Sequence, residues 1–163
     1  MEKPPYWFSS AAAKSAILSI APMLPTFLST PETFAAFVSA WESGALPKPE
    51  WTHAAHVAIC ACYTVRFKHS AFDQMKAGIV RHNEAVGTLN GPDSGYHETL
   101  TRFWTNIIAA STNPTHDPWQ AACHAVAKFG EARTLHTRYY TFDVVHSPEA
   151  RQTWVPPDQS PSR

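Results

Sequence analysis

The stretch Glu50-Trp-Thr-His-Ala-Ala-His-Val-Ala-Ile-Cys-Ala-Cys-Tyr63 decides the fold that the sequence predicts. His53 and His56 are three residues apart, and side chains with this spacing share one face of a helix. The same face continues through Cys60, Tyr63 and Phe67, so we expect it to turn inward. Two inward imidazoles at a helix start can form half of a metal site. The alternative is that they cap the backbone or bond a buried carboxylate.

Composition limits the classes of function. The chain has 163 residues, of which 44% are hydrophobic and 16% charged, and this predicts one globular domain with a substantial core. Lys plus Arg and Asp plus Glu both number 13, so the formal net charge is zero and nucleic acid is not an expected partner. Nine histidines favour metal or acid–base chemistry, because imidazole serves both near neutral pH.

The cysteines and the apolar runs indicate a cytoplasmic protein. Cys60, Cys62 and Cys123 are an odd number without CxxC spacing, which favours reduced, mostly buried thiols. No apolar run reaches the roughly 18 residues that a membrane helix needs, so we expect no membrane partner. Residues 16–24 resemble the core of a signal peptide, but Lys14 and Pro22 bracket them and we expect no secretion.

The rest of the chain predicts an all-α, single-domain helical bundle. Residues 1–30 form an expected N-terminal extension with a short helix at 10–21, and residues 31–163 form the bundle with a wrapping C-terminal tail. Expected helices are one that starts near Thr30 and ends near Gly44, the histidine helix from a Thr52 cap to about Arg66, and helices over 71–86, from Tyr96 and over 119–128. A turn of helix is expected at 147–151.

Short connections make consecutive helices antiparallel, which predicts a meeting point for three histidines. The start of the histidine helix, the end of the next and the start of the helix at Tyr96 should lie together. His97 is placed in the first turn of that helix, so His53, His56 and His97 form a predicted mononuclear site for one divalent transition metal, zinc, iron, nickel or copper. The alternative is that His97 caps its helix and packs on Trp104.

Other side chains near this end are candidates for chemistry and binding. Glu98, Glu84 and Tyr96 are the candidate catalytic residues, since a carboxylate can move a proton and a phenol can donate to a substrate oxygen. Glu98 also suits a merely favourable acid in a first helical turn. The candidate substrate-binding residues are Tyr63, His82, Asn83 and Trp104. The glycine-rich loop at 87–95 is predicted to cover the site as a lid.

Four motifs together resemble a family of small uncharacterised bacterial proteins that carry an HxxH motif and, some forty residues later, a Tyr-His-x-Thr motif. They are Glu50-Trp-Thr-His-Ala-Ala-His56, Arg81-His-Asn-Glu-Ala-Val-Gly-Thr88, Ser94-Gly-Tyr-His-Glu-Thr-Leu-Thr-Arg-Phe-Trp104, and a tail over 142–158. The resemblance spans roughly residues 33–158. It implies that His53, His56 and His97 act as a unit, with no established reaction. The Leu89-Asn-Gly-Pro-Asp93 loop departs from the family's usual Pro-Asn-Thr-Asp.

Three functions are therefore expected from the sequence. The first is a metal-dependent lyase, isomerase or hydrolase that acts on a small, partly apolar metabolite. The second is an iron- or copper-dependent enzyme that uses oxygen at the same site. The third is a non-catalytic helical protein that binds a small molecule, in which the histidines form hydrogen bonds. A homo-oligomer is possible in each case, because the aromatic tail can cover this chain or a second copy.

Overall fold

The structure of the protein, a computed structural model, describes residues 23–161. This range is all-α and contains no strand, which confirms the predicted fold class. Its helices are α1 (Pro31–Glu42), α2 (His53–Phe67), α3 (Ala71–Ala85), α4 (Glu98–Ser111), α5 (Pro118–Phe129) and α6 (Pro148–Gln152). Single 3-10 turns lie at Thr26–Leu28, Lys48–Glu50, Lys68–Ser70 and Leu135–Arg138. None of these helices is long and apolar enough to cross a membrane.

Helix α2 lies at the centre of the bundle and is buried on nearly every side. Seven consecutive residues, 57–63, are buried, and four of them are alanine or cysteine. The facing surface of α5 is also built from small side chains, Ala121, Ala122, Cys123 and Ala125. Small side chains let two helices approach closely, so α2 and α5 pack along their lengths. All three cysteines are free and buried, as the sequence predicted.

Side-chain caps begin α1 and α2 where the sequence predicted them, and a cap that it did not predict begins α5. The Thr30 hydroxyl accepts a hydrogen bond from Thr33 N at 3.1 Å, and that of Thr52 accepts one from Ala55 N at 3.2 Å. Asp117 begins α5 with a reciprocal pair of hydrogen bonds to Gln120. Each cap satisfies an amide that the helix itself leaves without a partner.

Residues at both ends of the described range pack on the bundle. Leu28 is fully buried, and its carbonyl accepts a hydrogen bond from Trp119 Nε1 at 3.0 Å. The helix predicted at 10–21 lies outside the described residues. The C-terminal tail packs on α4, where Phe103, Tyr140, Val144 and Ala150 form a second apolar cluster. The expected turn of helix at 147–151 is confirmed as α6.

A column of aromatic rings connects the core to the histidine helix. Trp41 is fully buried and stacks on Trp51 at 5.0 Å between ring centroids, and Trp51 lies 3.8 Å from the ring of His56. Gly78 of α3 lies against the six-membered ring of Trp41, and a Cβ atom added there would overlap that ring. The position of His56 therefore depends on the absence of a side chain at residue 78.

We expect Gly78→Ala to lower the free energy of unfolding by about 1–3 kcal/mol, the usual cost of overpacking a core. Helix propensity alone acts in the opposite direction and would stabilise the variant by about 1 kcal/mol. The sign of the change in the free energy of unfolding therefore shows which effect dominates. Urea denaturation measures it. Gly91→Ala is the matched control, because nothing lies within 4 Å of a Cβ added at Gly91. A Gly78→Ala variant more stable than the parent would contradict the packing argument.

Candidate functional site

A cavity of about 370 Å³ opens between the starts of α2 and α4 and the segment that follows α5. Its volume is in the range of pockets that hold small molecules, roughly 300–1,000 Å³. The lining residues that the structure describes are His53, His56, Val57, Cys60, Met75, Ile79, Gly95, Tyr96, His97, Leu100, Thr101, Trp104, Thr105, Ile108, Arg133, His136 and Val145. The three histidines that the sequence singled out therefore share one cavity.

His53 is the first residue of α2 and reaches the end of α5. Its Nε2 lies 3.1 Å from the carbonyl oxygen of Phe129, and its ring meets the ring of Trp104 edge-on at 4.8 Å. Because a carbonyl only accepts, Nε2 carries the proton and Nδ1 keeps its lone pair in the neutral ring. Burial lowers the pKa of His53, the Phe129 hydrogen bond partly opposes this, and the charge of Arg133 lowers it further.

His56 lies one helical turn further along α2. Its Nδ1 lies 2.8 Å from the carbonyl oxygen of Thr52, so Nδ1 donates its proton to that oxygen. Burial lowers the pKa of His56 to about 4, which makes the ring neutral near pH 7. Within the described part of the chain, Nε2 has no hydrogen-bond partner, yet it is not among the fully buried polar atoms. It therefore presents an accessible lone pair.

His97 precedes α4 and caps it, so the predicted place in the first helical turn is wrong by one position. Its Nδ1 accepts a hydrogen bond from Leu100 N at 3.2 Å, and its Nε2 lies 3.0 Å from the carbonyl oxygen of Val144. One nitrogen thus accepts and the other donates. Burial lowers the pKa of His97, which favours this neutral form. Both of its nitrogens are engaged by the backbone.

The arrangement of the imidazole nitrogens gives no support to the predicted three-histidine metal centre. In the described range, no group of three or more His, Cys, Asp or Glu side chains is arranged to hold a metal ion. A metal ligand needs a free lone pair on an imidazole nitrogen. His53 and His56 each keep one, but His97 keeps none while it caps α4 and bonds Val144. The set does not fit a metal in this arrangement.

Tyr96 and Glu98, two of the predicted catalytic residues, belong to one network of hydrogen bonds and ion pairs near the start of α4. The carboxylate of Glu98 accepts hydrogen bonds from the Tyr96 hydroxyl at 2.9 Å and Lys76 Nζ at 2.8 Å, and it pairs with Arg102 at 3.4 Å. Burial acts to raise the pKa of Glu98, but these donors hold it below its usual value. Tyr96 lines the cavity and Glu98 does not. The lone pairs of this carboxylate are thus committed to cross-links.

The other predicted residues are divided between the cavity and its surroundings. Trp104 lines the cavity. Glu84 is exposed at the end of α3, away from the lining. Three more residues bind other parts of the chain: Tyr63 donates to Glu42, His82 bonds the Leu46 carbonyl, and Asn83 donates to Asn90. The middle of α3, not its end, reaches the cavity, through Met75 and Ile79.

The glycine-rich loop is anchored at the edge of the cavity, and of residues 87–95 only Gly95 belongs to the lining. The side-chain oxygen of Asn90 accepts hydrogen bonds from Asn83 Nδ2 at 2.8 Å and from Tyr96 N at 3.0 Å. Gly95 has φ +72°, where a side chain is strained. Arg151 of α6 donates to the Gly95 carbonyl at 3.1 Å. These contacts fix the loop to α3 and to the tail.

Sequence reasoning missed the residues that follow α5. Arg133 and His136 line the cavity and both lower the pKa of His53, whereas the carboxylate of Glu131, outside the lining, raises it. Gly130 was the signal in the sequence that could have indicated them. It follows the last residue of α5, which lies at the start of α2, so the residues after it pass close to His53. Among the lining residues described, Arg133 is the one with a permanent charge, and none is Asp or Glu.

Comparison of this chain with models of protein families, with curated proteins and with solved structures finds no match. The resemblance to a bacterial family therefore stays a prediction from the motifs. Function has to be inferred from the cavity itself.

Acid should destabilise the protein in part through His56. Its pKa is about 4 in the folded protein and 6.5 when unperturbed, so its contribution to stability is complete above about pH 6.5 and is lost as the pH falls towards 4. After allowance for partial exposure, this contribution is about 2 kcal/mol. Urea titrations at pH 7 and 4.5 should therefore show a smaller acid-induced loss for His56→Gln. The exposed His69→Gln is the control. An equal loss in His56→Gln and the parent would show that His56 does not titrate as the geometry implies.

Proposed function

We propose that this protein binds a small molecule with an apolar body and a carboxylate group in the cavity between α2 and α4. The observation that carries the proposal is the composition of the lining, in which apolar walls surround neutral imidazoles and the one permanent charge is that of Arg133. A pocket of this kind selects a partly apolar anion, because its walls favour apolar surface and its charge favours a negative group.

The apolar walls support the body of the ligand. They comprise Val57, Met75, Ile79, Leu100, Trp104 and Ile108, from α2, α3 and α4. Each methylene group moved from water into such surroundings contributes about 0.8 kcal/mol. Met75 is buried and adaptable in shape, and Trp104 presents a flat aromatic surface. The walls therefore suit an alkyl chain or a single ring.

The charge of Arg133 supports the carboxylate. Arg133 is exposed and makes no ion pair with another described residue, so its guanidinium is available for a two-pronged hydrogen bond to a carboxylate. His136 also lines the cavity and adds a ring N–H donor. The carboxylate of Glu98 is held away by Lys76, Tyr96 and Arg102, so no acid on the wall repels the ligand.

Octanoate and octanamide are matched probes, since they differ mainly in charge. We expect octanoate to bind with a Kd that Arg133→Ala raises about tenfold, while octanamide changes little. Isothermal titration calorimetry measures both constants. Arg138→Ala is the control, because Arg138 is also exposed and lies outside the lining. Leu100→Trp should fill the cavity and abolish binding of both probes. No binding of octanoate at millimolar concentration, or equal effects of Arg133→Ala on both probes, would contradict the proposal.

A metal-dependent enzyme, hydrolytic or oxygen-using, is the second candidate, and one observation favours it: His53, His56 and His97 line the same cavity. This candidate predicts about one equivalent of zinc, iron, nickel or copper in protein purified without an affinity tag. It requires His97 to release Leu100 N or the Val144 carbonyl. His97→Asn should then remove the metal, and because asparagine is a good helix cap, the variant should keep α4. Elemental analysis of the two proteins tests it. A parent protein without metal, which also binds none of these ions when they are added, would leave the carboxylate-binding function alone.

A further inference from the structure

The polar groups of the cavity lining differ in which of their hydrogen-bond donors and acceptors already have a partner in the protein. Most donors are already used inside the protein: the Tyr96 hydroxyl donates to Glu98, the Thr105 hydroxyl donates to the Thr101 carbonyl at 2.7 Å, and His97 Nε2 donates to Val144. On the α2 side of the cavity, which we call the inner wall, two acceptors have no partner among the described residues, the lone pairs of His53 Nδ1 and His56 Nε2. An inner wall of acceptors complements a ligand that donates.

We infer that the ligand carries a hydroxyl or a neutral N–H group on its apolar body, and that His56 Nε2 accepts the hydrogen bond from this group. The inference rests on the proposed function and names the ligand class more narrowly, as a hydroxylated or amide-bearing carboxylate. A cationic ammonium group is a poor donor here, because no described lining residue is Asp or Glu and Arg133 repels positive charge.

The orientation of His56 is what makes it a selective acceptor. Its Nδ1–H is bonded to the Thr52 carbonyl at 2.8 Å, and its ring is held against Trp51 at 3.8 Å between centroids. Two contacts on different parts of the ring fix both the tautomer and the direction of the Nε2 lone pair. His53 offers a second acceptor, but a single hydrogen bond and the edge contact with Trp104 hold its ring.

A ligand without a donor displaces water from His56 Nε2 and leaves the lone pair without a partner. Leaving a buried polar group unpaired is costly, whereas satisfying it restores the lost hydrogen bond. A hydroxyl or N–H group on the carbon nearest to His56 Nε2 should therefore lower the Kd about tenfold relative to the same carboxylate without that group. The same group at other carbons should bring no such gain, because it would lie among apolar side chains.

Octanoate and its monohydroxy isomers test the inference by calorimetry on the full chain. We expect at least one isomer to bind about tenfold more tightly than octanoate, and His56→Phe to reduce this ratio of Kd values to about one. His69→Phe, at an exposed position, should keep the ratio. Because His56→Phe can also perturb folding, nitrogen NMR of the parent protein gives a second measurement: the favoured isomer should shift the signal of the unprotonated His56 Nε2, and octanoate should not shift it in this way.

The outcomes separate the inference from the proposed function. If octanoate binds and no isomer binds more tightly, the inference is overturned and the carboxylate site stands. If an isomer is preferred but the preference survives His56→Phe in a folded variant, His56 is not the acceptor and the inference is again overturned. If neither octanoate nor any isomer binds, the proposed function falls, and the inference falls with it.

Discussion

The close packing of α2 on α5 through alanine and cysteine is the constraint on which the rest of this structure depends. Because their facing side chains are small, the first residue of α2 meets the last residue of α5, and His53 bonds the carbonyl oxygen of Phe129. The chain that leaves α5 must then pass the start of α2. This path carries Arg133 and His136 to the wall of the cavity. The charge at the site is thus a consequence of helix packing in the core.

The histidines at the cavity are first of all structural groups. Each of the three bonds a backbone carbonyl, at Phe129, Thr52 or Val144. The carbonyls of Thr52 and Phe129 also accept backbone hydrogen bonds, from His56 N and Ala132 N, so each imidazole there is a second donor to one oxygen. Burial holds the pKa of each ring below its usual value. A neutral imidazole can donate with one nitrogen and accept with the other. The rings of His53 and His97 thus join distant chain segments, the ring of His56 bonds within the start of α2, and His53 and His56 each keep a lone pair.

Much of the fold could be predicted from the sequence because its signals are local. Thr30 and Thr52 begin helices through bonds to amides three residues away, and residue type and spacing are enough to indicate such caps. His97 shows the limit of this reasoning. As the cap of α4, His97 uses one nitrogen to accept from the helix, which it would not do in the first turn. Its other nitrogen bonds Val144, 47 residues away, a contact that no local pattern predicts. The role of Arg133 depends on the α2–α5 contact, which no local pattern contains.

The network around Glu98 bears on the proposed preference of the cavity for an anion, in a chain that as a whole has no net charge. A carboxylate at the start of α4 would normally lend negative potential to a neighbouring pocket. Here Lys76 and Arg102 neutralise Glu98, and the Tyr96 hydroxyl points its proton at the same oxygen as Lys76. With that carboxylate compensated, no described lining residue carries a charge opposite to that of Arg133, and Glu131, which also acts on His53, lies outside the lining. The same pairing of Glu98 removes a carboxylate that would otherwise attract a bare cation, so in the proposed function the contacts of Glu98 across α3 and α4 set the sign of charge that suits the cavity.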